Sequence, residues 1–170
     1  MEIGATKAVQ DRLKTTKIEE SKGASLVFCW DTHLTKIKGR NVLFIVNASN
    51  RYTIAMTDIE PRNWNYYTMY ISSVIHGVMQ EMGYSEDQIG QYFKMSGDTT
   101  VTKTHGRKSV GGINRMVMDA QYFGKKLEKE AKYQWELSEY LNRDICQPEG
   151  FDAYGYPSEL FKLDMERLGI

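Results

Sequence analysis

A short basic loop that leads into a glycine-containing helix start combines the residue types that bind anions. Ser109 is a favoured N-cap residue, and we expect a helix to begin there. Gly111 and Gly112 then fall in the first turn, where backbone N–H groups lack a partner inside the helix and no side chain covers them. Arg107 and Lys108 add charge beside the positive end of the helix dipole. The pattern predicts a site for the phosphate of a small molecule or of a nucleic-acid backbone.

The glycine pair has two explanations that the sequence leaves open. Each glycine in a helix costs about 1 kcal/mol relative to alanine, so two in one turn need a reason. A ligand that approaches the backbone is one reason, with Arg107 binding a phosphate through two N–H groups. Close packing against another helix or strand is the other, with no ligand at all. The spacing matches neither a P-loop nor a dinucleotide fingerprint.

Five further residues are candidates for the same site. Lys7 and Arg51 could complete the charge around a phosphate, and Thr6 is expected to cap the first helix. His105 adjoins the basic loop, where it could bond a phosphate or carry a proton. Asn114 could contact a base or sugar, or simply bond a neighbouring strand.

Length and charge bound the class of protein. The chain has 170 residues, enough for a single domain over 1–170 with a real core, and its 22 basic and 22 acidic residues cancel. Residues 32–57 and 99–118 contain basic residues and no acid, whereas residues 136–170 carry eight acids against three basic residues. If the two basic stretches meet, they form one positive face; otherwise they are scattered surface charges.

The sequence predicts neither a metal site nor a cofactor. His33, His76 and His105 lie in separate segments without zinc or iron spacing, and hydrolase and kinase motifs are absent. Cys29 lies four residues before His33, but in consecutive strands the two side chains need not face each other. Cys29 and Cys146 suit a reduced cytoplasmic protein, and no segment resembles a signal peptide or a membrane span.

Hydrophobic periodicity predicts an α+β fold. Strands are expected at 25–31, 32–38, 41–47 and 51–59, with a possible edge strand at 99–104. Short links between the four strands indicate an antiparallel β-meander of about four strands with helices packed on one face. Helices are expected at 6–14, from Pro61 onward and at 85–94. Three more are expected, one after Ser109, one at 133–142 and one from Pro157 to about Leu168.

Four stretches together resemble a known family. They are Ile3–Lys7 with Gln10–Lys14, Val46–Tyr52, Arg107–Asn114 and Leu137–Arg143. In this order they resemble a family of uncharacterised bacterial and phage proteins, a domain of unknown function of about this length. The resemblance implies one domain and no particular activity. Its motif-like residues are polar or glycine, which suits a site: Gly4, Thr6, Lys7, Asn47, Arg51, Tyr52, Arg107, Ser109, Gly112 and Asn114.

Three functions are open, and the phage connection suggests the first two, because small phage proteins often counter host defence. The first is a non-catalytic protein that holds a phosphorylated small molecule, such as a nucleotide signal. The second is a protein-binding inhibitor of a host defence complex, such as an anti-CRISPR, whose acidic tail meets a positive groove. The third is a nucleotide-processing enzyme with His105 as acid or base. Oligomeric state stays open, and a homo-oligomer is compatible with the sequence.

Overall fold

A five-stranded mixed sheet forms the centre of the molecule. The computed structural model describes residues 1–15 and 18–170. The strand order is β4-β3-β2-β1-β5. Strands β2, β3 and β4 form an antiparallel meander, while β1 pairs in parallel with both β2 and β5. The strands are β1 (Glu2–Ala5), β2 (Cys29–Ile37), β3 (Arg40–Asn47), β4 (Thr53–Thr57) and β5 (Thr100–Thr102).

The α+β class is confirmed, but the sheet is not the purely antiparallel meander that we predicted. The two strands expected at 25–31 and 32–38 are one strand, β2, preceded by a short 3-10 helix at Leu26–Phe28. Strand β1 was not predicted, although Glu2 and Gly4 alternate with Ile3 and Ala5 in the pattern typical of a strand. The edge strand expected at 99–104 is β5, and it belongs to the same sheet because β1 lies between it and β2.

Helices cover both faces of the sheet, so the prediction of helices on one face is wrong. Val42–Val46 is apolar throughout, and alternate residues of a strand point to opposite faces. The helices are α1 (Lys7–Leu13), α2 (Pro61–Asn65), α3 (Tyr67–Glu81), α4 (Glu86–Ser96), α5 (Arg107–Gln121), α6 (Trp135–Asn142) and α7 (Pro157–Arg167). Leu43 and Ile45 join the core under α3, α4 and α7, and Phe44 joins the core under α5 and α6.

Local sequence determines most helix ends. Pro61 begins α2 as expected, but Tyr66 separates α2 from α3, so the predicted long helix is two helices. Ser85 accepts a hydrogen bond from the Gln88 amide and completes a capping box at the start of α4. Across the described helices, none combines the length and the apolar character that crossing a membrane requires.

Helix α5 lies along β2 and runs in the same direction. Near its start, the Ser109 hydroxyl donates to the Asp31 carboxylate, and at its end Gln121 Nε2 donates to the Lys36 carbonyl at 3.0 Å. Residues 103–106 therefore carry the chain from the edge strand β5 across the sheet face to β2. This turn brings the basic loop of the sequence onto the first residues of β1 and β2.

Candidate functional site

The start of α5 differs from the predicted one. Gly106 is the N-cap, at φ 94°, a backbone conformation that glycine adopts without strain. Its carbonyl accepts from the Val110 amide at 3.2 Å. Ser109 is the third residue of the helix, so its prediction as N-cap is wrong. Among the described residues, the helix-start amides without an acceptor are those of Arg107, Lys108 and Ser109.

Gly111 and Gly112 do not offer free amides, which corrects the expected role of the pair. Both lie inside α5, where each N–H donates to the carbonyl four residues earlier. A Cβ atom on Gly112 would lie 3.3 Å from Arg51 Cδ, whereas one on Gly111 would meet nothing within 4 Å. Gly112 therefore lets the Arg51 side chain lie against the helix, and packing does not explain Gly111.

The Asp31 carboxylate lies on the inner side of the helix start. Asp31 is fully buried and accepts hydrogen bonds from the Ser109 hydroxyl, from the His105 amide at 3.2 Å and from His105 Nδ1 at 2.7 Å. Gly4 makes room for it, because a Cβ atom there would lie 1.8 Å from Asp31 Oδ1. The positive end of α5 thus already holds one anion that belongs to the protein.

His105 links Asp31 to a second buried carboxylate. Its Nε2 lies 3.0 Å from Glu2 Oε2, and the two side chains are 3% and 6% exposed. Burial favours the neutral ring, but the hydrogen bonds and charges of Asp31 and Cys29 raise the pKa of His105 to about 10. Burial also acts on Glu2, yet the Ser21 hydroxyl, the Lys22 amide and His105 hold its pKa below the usual value. An imidazolium ring therefore lies between two carboxylates.

Three cationic side chains lie on or against the first two turns of α5. Arg51 belongs to the turn between β3 and β4 and lies between Gly112 and the Cys146 thiol. Lys108 Nζ donates to the Pro148 carbonyl at 3.1 Å. In the part of the chain that the structure describes, neither these two nor Arg107 has a carboxylate partner. We call Arg51, Arg107 and Lys108 the α5 cation patch.

Other predicted site residues lie elsewhere. Thr6 is the N-cap of α1, but its hydroxyl donates to the Thr32 carbonyl at 3.0 Å and caps no amide. Lys7 is exposed and pairs with Asp11 at 2.8 Å. Helix α1 packs in the core on the opposite face of the sheet from α5. The two basic stretches of the sequence meet through Arg51, and Asn114 is exposed further along α5.

A second surface lies between α5 and α6. A groove of about 580 Å³ presents three aromatic side chains beside four acids and two basic residues. Its aromatic residues are Phe123, Trp135 and Tyr140, and its acids are Asp119, Glu136, Glu139 and Asp144. A partner can reach two of the aromatic rings in the groove, because Trp135 is 44% and Tyr140 is 42% exposed. Because it forms between two separate helices, no single stretch of sequence reveals it.

Glu2, Cys29 and Asp31 were absent from the predicted site. Their sequence signal is a polar or acidic residue inside an apolar strand, as Asp31 follows Phe28-Cys29-Trp30. Only the parallel pairing of β1 with β2 places Glu2 opposite Cys29 and Gly4 opposite Asp31. Such long-range pairing leaves no local pattern.

Comparison with known proteins places the chain in a family without assigning it an activity. No curated protein matches the chain, and no solved structure does. A family model described as a domain of unknown function (DUF6933) matches residues 2–160, which is most of the chain. The chain is therefore a member of the DUF6933 family.

Proposed function

We propose that this protein is a non-catalytic binding protein that holds a phosphorylated small molecule at the outer side of the α5 start. One observation carries the proposal. The amides of Arg107, Lys108 and Ser109 have no acceptor among the described residues, and the side chains of the α5 cation patch, two on the same turn and Arg51 one turn further along, have no carboxylate partner there. Backbone N–H groups and basic side chains are the groups that recognise phosphate oxygens.

The charges around the helix start favour an added anion. The buried carboxylates of Glu2 and Asp31 face the imidazolium of His105, which balances one of their two negative charges. The three cations of the patch therefore exceed the one negative charge that is left. Arg107 and Lys108 are exposed and Ser109 is buried, so a ligand reaches the helix start from the side of its first two residues. Asp31 and His105 fix the inner side of the same turn, which makes the amides a preorganised group.

Gly112 supports the same interpretation through Arg51. A side chain at position 112 would push against the Arg51 side chain and move its guanidinium. A planar guanidinium binds two phosphate oxygens at once, so its position matters more than that of a lysine. A nucleotide signal fits this ligand class, and a phage protein that sequesters such a signal would act without catalysis.

Ligand-induced stabilisation tests the proposal. Purified protein is heated with inorganic pyrophosphate and with a panel of mono-, di- and cyclic nucleotides, and calorimetry gives Kd for each compound that raises Tm. Arg107→Ala should weaken binding about 10- to 100-fold, the value of one charge-assisted hydrogen bond. Arg115→Ala is the matched control, because Arg115 lies two turns further along α5 and pairs with Asp119. A panel without any stabilising compound, or equal Kd values for both variants, would contradict the proposal.

The groove between α5 and α6 favours a second candidate function, a protein-binding inhibitor. The exposed rings of Trp135 and Tyr140 suit the arginine or lysine side chains of a basic segment, which would compete with Lys125 and Arg143 for Glu136 and Glu139. Trp135→Ala should then reduce binding of a basic partner, while Tyr122→Ala, at an 80% exposed ring outside the groove, should not. Deleting the residues after Gly150 is a poor test, because Phe161 and Met165 of α7 are part of the core.

The enzyme hypothesis has less support from the geometry. His105 is sealed by Glu2 and Asp31, and a ligand at the outer side of α5 does not face its ring. A general acid or base has to lie within hydrogen-bond reach of its substrate.

A further inference from the structure

Three unlike metal-binding side chains meet beneath the start of α5, in a region that the proposed phosphate site does not use. Glu2, Cys29 and His105 each contribute one donor atom, and the three atoms lie within 4.8 Å of one another. Cys29 is fully buried, and the other two side chains are almost completely so. We propose that this Glu2–Cys29–His105 cluster binds a divalent transition metal ion, zinc above all.

The backbone places two of the three ligands side by side. Glu2 and Cys29 are paired residues of the adjacent parallel strands β1 and β2. Their side chains therefore leave the sheet on the same face at neighbouring positions. His105 reaches them from the turn between β5 and α5, where its own amide donates to Asp31. Three chain segments thus bring their donor atoms to within 4.8 Å of one another.

Hydrogen bonds orient two of the ligands as a metal requires. Asp31 Oδ1 lies 2.7 Å from His105 Nδ1, which leaves Nε2 directed toward Glu2 and Cys29. The Lys22 amide donates to Glu2 Oε1 at 2.9 Å, so Oε2 is the oxygen that faces the ring. A carboxylate behind a ligating histidine is a regular feature of zinc sites, because it fixes the ring and increases its basicity.

The donor set suits zinc in both chemistry and charge. Imidazole nitrogen, thiolate sulfur and carboxylate oxygen are its three protein ligand types, and in tetrahedral sites they lie about 3–4 Å apart. The thiolate and carboxylate together balance a divalent cation, which matters where uncompensated charge is costly to bury. The ion would take the place of the proton between His105 Nε2 and Glu2 Oε2. The cluster supplies three protein donors, so a water molecule would have to complete a tetrahedral zinc site.

Cobalt(II) is the probe that tests the proposal, because a thiolate ligand gives it a characteristic charge-transfer absorption. The full chain is stripped with a chelator and titrated with Co²⁺, and the near-ultraviolet and visible spectra are recorded. Cys29→Ser removes the thiolate with little change of shape, and Cys146→Ser is the matched control at the other buried cysteine. Circular dichroism and Tm show whether each variant folds.

The expected result is one Co²⁺ per chain, with a thiolate band and tetrahedral visible bands that Zn²⁺ abolishes. Cys146→Ser should keep the band, and Cys29→Ser should lose it and bind about 100-fold more weakly or worse, since even losing a partner behind a ligand costs about 10- to 100-fold. Zn²⁺ should raise Tm of the wild type. The proposal is overturned if the folded wild type binds no Co²⁺ below millimolar concentration, or if the band follows Cys146.

Discussion

Replacing Gly4 by alanine is the sharpest test of the buried network under α5. Gly4 lies in β1 directly opposite Asp31, and a Cβ atom there would lie 1.8 Å from Asp31 Oδ1 and 3.0 Å from His105 Nδ1. The carboxylate must recede by more than about 1 Å to reach even a 3.0 Å contact. Because Asp31 is fully buried, it cannot swing into solvent.

The expected loss of stability follows from what Asp31 holds. Overpacking costs about 1–3 kcal/mol, and each hydrogen bond to a charged group is worth about 1.5–3 kcal/mol. Displacing the carboxylate weakens its bonds to the His105 ring and to the Ser109 hydroxyl. We expect Gly4→Ala to lower the free energy of unfolding by about 3–5 kcal/mol, a large part of the 5–15 kcal/mol typical of a domain.

Urea unfolding followed by circular dichroism and tryptophan fluorescence measures this loss. Gly77→Ala in α3 is the matched control, because a Cβ there meets nothing within 4 Å and alanine should stabilise the helix by up to about 1 kcal/mol. The same change at Gly4 in an Asp31→Ala background should cost less than about 1 kcal/mol, so the two positions are coupled. Equal losses in both backgrounds, or a loss below about 1 kcal/mol in the wild type, would refute the arrangement.

Four further predictions concern α5 and other parts of the chain. Gly111→Ala should raise the free energy of unfolding by up to about 1 kcal/mol, because the added Cβ atom meets open space. Gly112→Ala should instead weaken phosphate binding with little effect on urea unfolding, because the added Cβ atom moves the flexible Arg51 side chain. Burial lowers the pKa of His33 below 6.5, so the contribution of the neutral ring to stability is present above that pH and is lost as the pH falls. When unfolding is measured as a function of pH, His33→Asn should therefore lose less stability below pH 6.5 than the wild type. Ser85→Ala removes a capping box and should lower Tm with a loss of about 1 kcal/mol.

The predictions for Gly111, His33 and Ser85 each have an outcome that counts against them. Destabilisation by Gly111→Ala would mean that another group covers that face of α5. An unchanged acid slope in His33→Asn would show that other groups set the pH dependence. For Ser85, an equal effect of Ser73→Ala, whose hydroxyl bonds only the Tyr70 carbonyl within α3, would show that the cap is not the cause.

Local patterns predict the elements of this fold better than their arrangement. Ser85, Pro61 and Pro157 mark helix starts through capping and fixed φ, and the structure has a helix start at each. The apolar run of β3 predicts a strand, but the side on which helices pack depends on residues far away in the chain. Strand β1 is short and partly polar, and pairing with β2 and β5 creates it rather than local propensity.

The candidate site shows the same division. The basic loop, the glycine pair and the nearby helix were visible in the sequence, while the position of the N-cap was wrong by three residues. Arg51 joins the site only because the β3–β4 turn lies beside Gly112. The buried partners Glu2, Asp31 and Cys29 come from strands that are adjacent in space and distant in sequence.

Amide chemical shifts during a phosphate titration test the central claim most directly. Isotope-labelled protein is titrated with pyrophosphate, and then with any nucleotide that raises Tm, while the backbone N–H resonances are followed. The account predicts saturable shifts that are largest at Arg107, Lys108 and Ser109, whose amides have no acceptor within residues 1–15 and 18–170. Saturable shifts centred elsewhere, or no shifts at these three amides up to millimolar ligand, would contradict it.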